Sequence, residues 1–180
     1  MNLHNLLSTR ERVKILKSVL FKKDEMGVNS VAKELKLSKG LVSKYFDILS
    51  KEKVIRKRNG KYSVQENLNT VSLKILINLE NFDPMIFRKF GFVESAGLFG
   101  SIVKGKNTEE SDIDLWVLVE KTGEENMAKL TAELKKKYFK INPVYLTIDK
   151  LKVLKREDPV FHHSLFFGSI TVYGDGIEKV

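Results

Sequence analysis

Residues 97–120 read GLFGSIVKGKNTEESDIDLWVLVE, and the run Ile113 to Val119 inside them, IDLWVLV, is the strand around which the rest of the chain arranges itself. Seven residues, all apolar but one, have the length and composition of a buried strand. Yet Asp112 and Asp114 stand at its start, one residue apart. Residues two apart on a strand share a face, so the two carboxylates project together while Ile113 and Leu115 fill the opposite face. An ionised carboxylate leaving water carries a heavy desolvation penalty unless a cation or donors meet it. The strand must therefore either leave these two side chains in water or supply a cation.

The preceding residues supply a second element of such a site. Phe92, Val93, Leu98 and Phe99 read as a strand ending in Gly100-Ser101, and IVKGK is expected to begin a helical turn. A Gly-Ser pair at a helix start offers backbone N–H groups, close approach and a hydroxyl, which suit a phosphate. Ten residues separate Ser101 from Asp112, enough to lay the two strands side by side with both features at one end. Two carboxylates beside a phosphate cradle are what Mg²⁺ needs when it is shared with substrate phosphates, and two ions could clamp an in-line displacement at phosphorus. The chain has no cysteine, so any metal is held by oxygen or histidine ligands.

FGSIVKGKNTEESDIDLWV resembles the signature of the DNA polymerase β-like nucleotidyltransferases, above all the minimal nucleotidyltransferases of prokaryotes and archaea, and the similarity runs over about residues 92–175. The resemblance implies a mixed sheet with flanking helices. It implies that Gly100 and Ser101 hold nucleotide phosphates with Lys104 nearby, that Ser111 positions the first aspartate, and that Asp112 and Asp114 are the catalytic, Mg²⁺-binding pair. The implied reaction moves a nucleoside monophosphate from an NTP, ATP first among them, to an acceptor. The family usually has a third carboxylate on the strand after the next helix. Here that helix is GEENMAKLTAELKKKYF and the strand KINPVYLTID, whose Asn142, Val144 and Leu146 share a face. Asn142, a neutral oxygen ligand, is the nearest substitute. Asp149 comes too late, and Glu94, Glu109 and Glu120 are deputies without a place.

Charge is divided unevenly along the chain. Residues 1–65 hold 16 Lys and Arg against 6 Asp and Glu, a net of +10, and the remainder holds 16 against 17. Such asymmetry points to a nucleic-acid-binding module joined to something else. Within the basic third, Val13, Leu16, Val19 and Leu20 mark a first amphipathic helix. A second helix, capped by Asn29 or Ser30, runs to Leu35, and Ser38 caps a third, KGLVSKYFDILSKEK. In the third helix Leu41, Val42, Tyr45, Phe46 and Leu49 form the buried stripe and leave Lys39, Ser43, Lys44 and Asp47 outward. VIRKRNGKYSV follows, with Asn59-Gly60 as a two-residue hairpin turn. Arg56, Lys57, Arg58 and Lys61 cluster on that hairpin, placed to neutralise phosphates. Over about residues 8–65 this order resembles the winged helix-turn-helix domains of prokaryotic regulators, which implies contact with double-stranded DNA.

The expected organisation is thus α+β: a winged helix-turn-helix over 1–66, a connecting helix and linker over 67–91 patterned on Val71, Ile75, Leu76 and Leu79, and a nucleotidyltransferase-like domain over 92–180. The connector is expected to pack between domains or against a second copy in a homodimer. No apolar run is long enough for a membrane span, and MNLHNLLSTRERVK turns charged too early for a signal peptide, so the cytoplasm is the expected compartment. Trp116 falls on the aspartates' side of the sheet and reads as core. His162 and His163, adjacent and so about 100° apart on a helix, read as helix surface, and His4 as a frayed terminus. The expected function is Mg²⁺-dependent nucleotidyl transfer to a macromolecule, including protein modification of the antitoxin type. The alternative is a transcriptional regulator whose second domain senses a nucleotide or dimerises.

Overall fold

The computed structural model describes residues 1–179. The chain divides into two compact units, one of residues 1–77 with 105–110, the other of residues 78–104 and 111 onward.

The first unit opens with α1 (Leu3–Leu7), capped by Asn2, where the sequence points to a frayed end. Leu6 is fully buried and its carbonyl accepts from the Tyr45 hydroxyl at 2.8 Å, so the terminus is tied down. α2 (Arg10–Val19) starts at Thr9, whose hydroxyl accepts from the Arg12 amide at 3.2 Å. α3 (Val28–Leu35) is capped by Gly27, not by Asn29 or Ser30; Ser30 instead reaches back, its Oγ accepting from the Gly27 amide at 3.2 Å. α3 ends on Lys36 in the left-handed region (φ 55°), and α4 (Lys39–Lys51) begins at once on the Ser38 cap. Val42, Tyr45, Phe46 and Leu49 of α4 are buried as the spacing predicts, whereas Leu41, in the first turn of the helix, is 36% exposed.

β1 (Ile55–Arg58) and β2 (Lys61–Val64) pair antiparallel with Arg58 opposite Lys61. Asn59 (φ 49°) and Gly60 (φ 77°) both take positive φ, the geometry a right-twisted two-residue hairpin demands. Ile55 and Tyr62 are buried, and Arg56, Lys57, Arg58 and Lys61 are exposed.

α5 (Leu68–Asn81) follows. It turns a different face inward from the one its apolar pattern suggests. Leu73 and Ile77 are buried together with the polar Thr70, Lys74 and Asn78, while Leu76 is 47% exposed. Residues 105–110 pack as part of this unit. The Glu109 amide donates to the Phe21 carbonyl at 3.0 Å, Lys22 and Lys23 pair with Glu109 and Glu110 at 3.6 and 3.1 Å, and the buried Lys74 Nζ donates to the Asn107 carbonyl at 2.8 Å.

The second unit is a four-stranded mixed sheet in the order β5-β4-β3-β6, with helices against it. A 3-10 helix (Pro84–Lys89) leads into β3 (Val93–Phe99), β4 (Ile113–Val119), α6 (Glu124–Lys137), β5 (Ile141–Leu146), α7 (Ile148–Glu157), α8 (Pro159–Phe167) and β6 (Ile170–Tyr173). β4 runs parallel to β5 and antiparallel to β3, and β3 is antiparallel to β6. The alternation of β4 sorts its side chains between two cores. Leu115, Val117 and Val119 join Leu130 and Leu134 of α6, and Trp116 and Leu118 join Leu151 of α7 and Leu165 of α8. α6 carries Glu124 and Glu125 in its first turn and Lys135 to Lys137 in its last, matching its dipole.

Candidate active site

The site is built where the end of β3 meets the start of β4. Phe99 pairs with Asp114, so Gly100 and Ser101 emerge beside the first residues of β4. Asp112 lies just before the strand and is exposed, while Asp114 is half-buried on the face of Trp116 and Leu118. Gly100 has φ +72°, and a Cβ built there would fall 2.2 Å from Asp114 Oδ2. Only a residue without a side chain lets the turn close over that carboxylate. Burial first, and then the charge of Asp112, push the Asp114 carboxyl above its usual range.

The parallel register sets Asn142 of β5 beside Asp114, and Asn142 Nδ2 donates to Asp112 Oδ2 at 3.2 Å. The position next to the pair is therefore held by a neutral amide, as the alternation of KINPVYL predicts. The other acids lie elsewhere. Glu94 and Glu120 are at the opposite ends of β3 and β4 from the aspartates, Glu109 belongs to the first unit, and Asp149 is an exposed residue in the first turn of α7. Among the described residues no group of three His, Cys, Asp or Glu converges.

One expectation about the cradle fails. After Gly100 the chain forms hydrogen-bonded turns through Gly105, with no helix, so the Gly-Ser pair lacks a helix dipole behind it. Only four residues intervene before Gly105, which takes φ +61° and whose added Cβ would sit 2.5 Å from the Val71 carbonyl oxygen. A segment pinned that soon has no length for a helix. Ser101 and Ser111 are half-buried, and Lys104 is exposed at the end of the turns.

Trp116 is completely buried, its indole lying where a Cβ on Gly97 would meet it at 2.4 Å, so it is core and not pocket lining. His163 is exposed as expected. His162 is not surface: it is 8% exposed and stacked on Phe166 at 4.2 Å, because α8 turns that side toward α7. Burial holds its imidazole below the usual range. On the aspartates' side of the sheet a groove of about 450 Å³ is lined by apolar residues such as Val144, Leu154 and Phe161 together with the charged Asp149, Lys150 and Glu157, and the Phe161 ring meets Phe99, the register partner of Asp114, at 5.9 Å. In the first unit Lys39 and Lys44 are exposed on α4, Ser43 is half-buried, and the four hairpin cations are exposed.

The donor set suits a hard divalent cation. Asp114, partly desolvated and close enough to Asp112 to feel its charge, lies against a turn kept clear by a missing side chain, and Mg²⁺ is commonly held by one or two carboxylates together with substrate phosphates. Asp112 and Asp114 would hold it.

Residues 84–175 match the family model described as polymerase beta, nucleotidyltransferase. The chain belongs to this family. No match to a curated protein was found. The matched span runs from the 3-10 helix through β6, and its mixed sheet with flanking helices fits the nucleotidyltransferase fold. The family's domain is one of nucleotidyl transfer, and the two aspartates and the Gly-Ser turn lie within it. No helix of the described residues is long and apolar enough to cross a membrane. Sequence reasoning overlooks Lys74 and Asn78, whose side chains meet the segment that links Ser101 to Asp112. The available signal is the polar run Thr70, Lys74, Asn78 at a spacing of four, which places three polar groups on one helix face.

Proposed function

We propose that this protein binds an NTP with Mg²⁺ at the mouth formed by Gly100, Ser101, Asp112 and Asp114 and transfers its nucleoside monophosphate to a macromolecular acceptor. The observation that carries this reading is the closure of Gly100 over the Asp114 carboxylate within a domain of the nucleotidyltransferase family. Backbone amides at Gly100 and the Ser101 hydroxyl donate to phosphate oxygens, with Lys104 as a nearby cation. Asp112 and Asp114 hold Mg²⁺, which when bound offsets charge on the phosphates. An acceptor oxygen bonds to the α-phosphorus, the bond from that phosphorus to the bridging oxygen breaks, and pyrophosphate leaves. With Asn142 beside the pair, no third carboxylate takes the acceptor's proton, so water takes it and turnover is slow. The groove on the same side, apolar over most of its wall, has a volume in the range of small-molecule sites. A protein acceptor, modified in the manner of an antitoxin acting on its partner, is the form of the reaction closest to the minimal nucleotidyltransferases.

The test is calorimetric titration with ATP, GTP, CTP and UTP in Mg²⁺, followed by incubation with α-labelled NTP and candidate acceptors. Heat and label from at least one nucleotide are expected. Silence from all four would remove the assignment.

The first unit, in this proposal, is a winged helix-turn-helix that places α4 in a DNA groove and the β1–β2 hairpin against flanking phosphates. Exposed cations on both faces of the hairpin support this. Lys57, Arg58 and Lys61 changed together to Ala should weaken binding to duplex DNA of any sequence and lower the slope of log K against log salt by about 0.9 for each phosphate no longer neutralised. Unchanged salt dependence in a fluorescence-anisotropy titration would speak against the hairpin as a DNA-binding element.

A second reading, a regulator that senses the nucleotide, is favoured by one observation: residues 105–110, which join the Gly-Ser turn to the aspartates, pack as part of the basic unit. DNA affinity measured with and without NTP and Mg²⁺ separates the readings, because a sensor requires different affinities in its two states.

A further inference from the structure

α5 buries Thr70, Lys74 and Asn78, each no more than 8% exposed, at successive turns of one face. A helix that buries polar side chains must give them partners. Thr70 stays local, bonding Asn67. The other two reach the irregular stretch between β3 and β4: Lys74 Nζ donates to the Asn107 carbonyl and Asn78 Nδ2 to the Ile102 carbonyl, both at 2.8 Å. That stretch has no ladder or helix of its own to hold it, and its carbonyls need donors from elsewhere. Ile102 directly follows Ser101, and its side chain is buried as well. Ser101 is therefore flanked by two fixed points: the Gly100 closure over Asp114 on one side, and on the other Ile102, whose carbonyl is held by the Asn78 amide.

We infer that Asn78 is a positioning residue for the phosphate cradle, acting through the Ile102 carbonyl on Ser101 and the backbone amides beside it. This rests on the nucleotide reading above. An apolar residue would pack at position 78 with no buried amide to satisfy, and a donor there is useful because it sets the direction of the turn. The ligand class follows from the chemistry: Asn78 governs the affinity of the polyphosphate part of a substrate and leaves the divalent ion at Asp112 and Asp114 unaffected when no nucleotide is present.

The experiment compares wild type with N78L, which is close in size and cannot donate, and with N78D, the same size but without an N–H to offer the carbonyl. Each is titrated with ATP and Mg²⁺, with inorganic triphosphate and Mg²⁺, and with Mn²⁺ alone, and is melted. A loss of about 10- to 100-fold is expected for ATP and for triphosphate alike, with Mn²⁺ affinity within about twofold of wild type in the same samples. Wild-type affinity for triphosphate in a folded variant overturns the inference, as does a loss that extends equally to Mn²⁺, which marks a general loosening. N78D serves if N78L fails to fold. A wild-type protein that binds neither ATP nor triphosphate overturns the nucleotide reading and this inference with it; wild-type binding with undiminished N78D binding overturns the inference alone.

Discussion

Changing Asp112 and Asp114 together to Asn is expected to lower nucleotidyl transfer by on the order of 10³-fold or more, since two charged ligands are lost where single electrostatic donors are worth 10²–10³. The same change should make the metal-free protein slightly more stable. The Asp114 carboxyl is raised by its burial and by Asp112, so the folded chain binds that proton more tightly than the unfolded chain. The resulting penalty is absent below the ordinary aspartate range, develops as pH climbs through the raised value, and is complete at neutral pH. Relief at pH 7 should be small, because solvent screens carboxylates that remain partly exposed. At pH 3 the difference should vanish. Mg²⁺ should reverse the order at neutral pH, stabilising wild type by about 2.7 kcal/mol at one hundred times its dissociation constant and leaving the double variant unmoved. Melting curves with EDTA and with Mg²⁺ at two pH values check all of this. A variant less stable than wild type in EDTA at pH 7 would show that the carboxylates are held by partners and are not straining for a cation.

Gly100→Ala should damage both the stability of the second unit and its site. The backbone at φ +72° disfavours any L side chain by about 1–2 kcal/mol. The new Cβ meets Asp114 Oδ2 at 2.2 Å, and a short carboxylate anchored on a strand has nowhere near to go. The expected result is a fall of roughly 4–8 °C in melting temperature and about 10- to 100-fold weaker divalent binding, as when the support of a ligand is lost. Gly91→Ala is the control: a Cβ there has nothing within 4 Å, and it should leave both quantities in place. Mn²⁺ titration of the two variants is sufficient. Equal behaviour would mean that the turn at Gly100 does not shape the site.

Much of this molecule is legible because its signals are local. The Asn59-Gly60 turn needs positive φ at two successive residues, and few other dipeptides supply it. The alternation of IDLWVLV sorts its side chains into two faces before any partner is known. Asn142 beside Asp114 follows from the same parity on β5. The failures share one cause. His162 reads as surface because an isolated helix does not reveal what packs on it. The turns after Gly100 read as a helix start because nothing in IVKGK announces that Gly105 will be held against Val71.

Residue order and elementary stereochemistry are enough to establish the strand bearing two carboxylates, the glycine beside it and the basic hairpin, since each depends on neighbours within a few residues or on a strict period of two. Packing alone decides that α5 turns Thr70, Lys74 and Asn78 inward and that residues 105–110 join the basic unit. The physical reason is that a buried amide or ammonium takes its meaning from the carbonyl it meets, and those carbonyls lie 24 and 33 residues along the chain, where no local pattern records them.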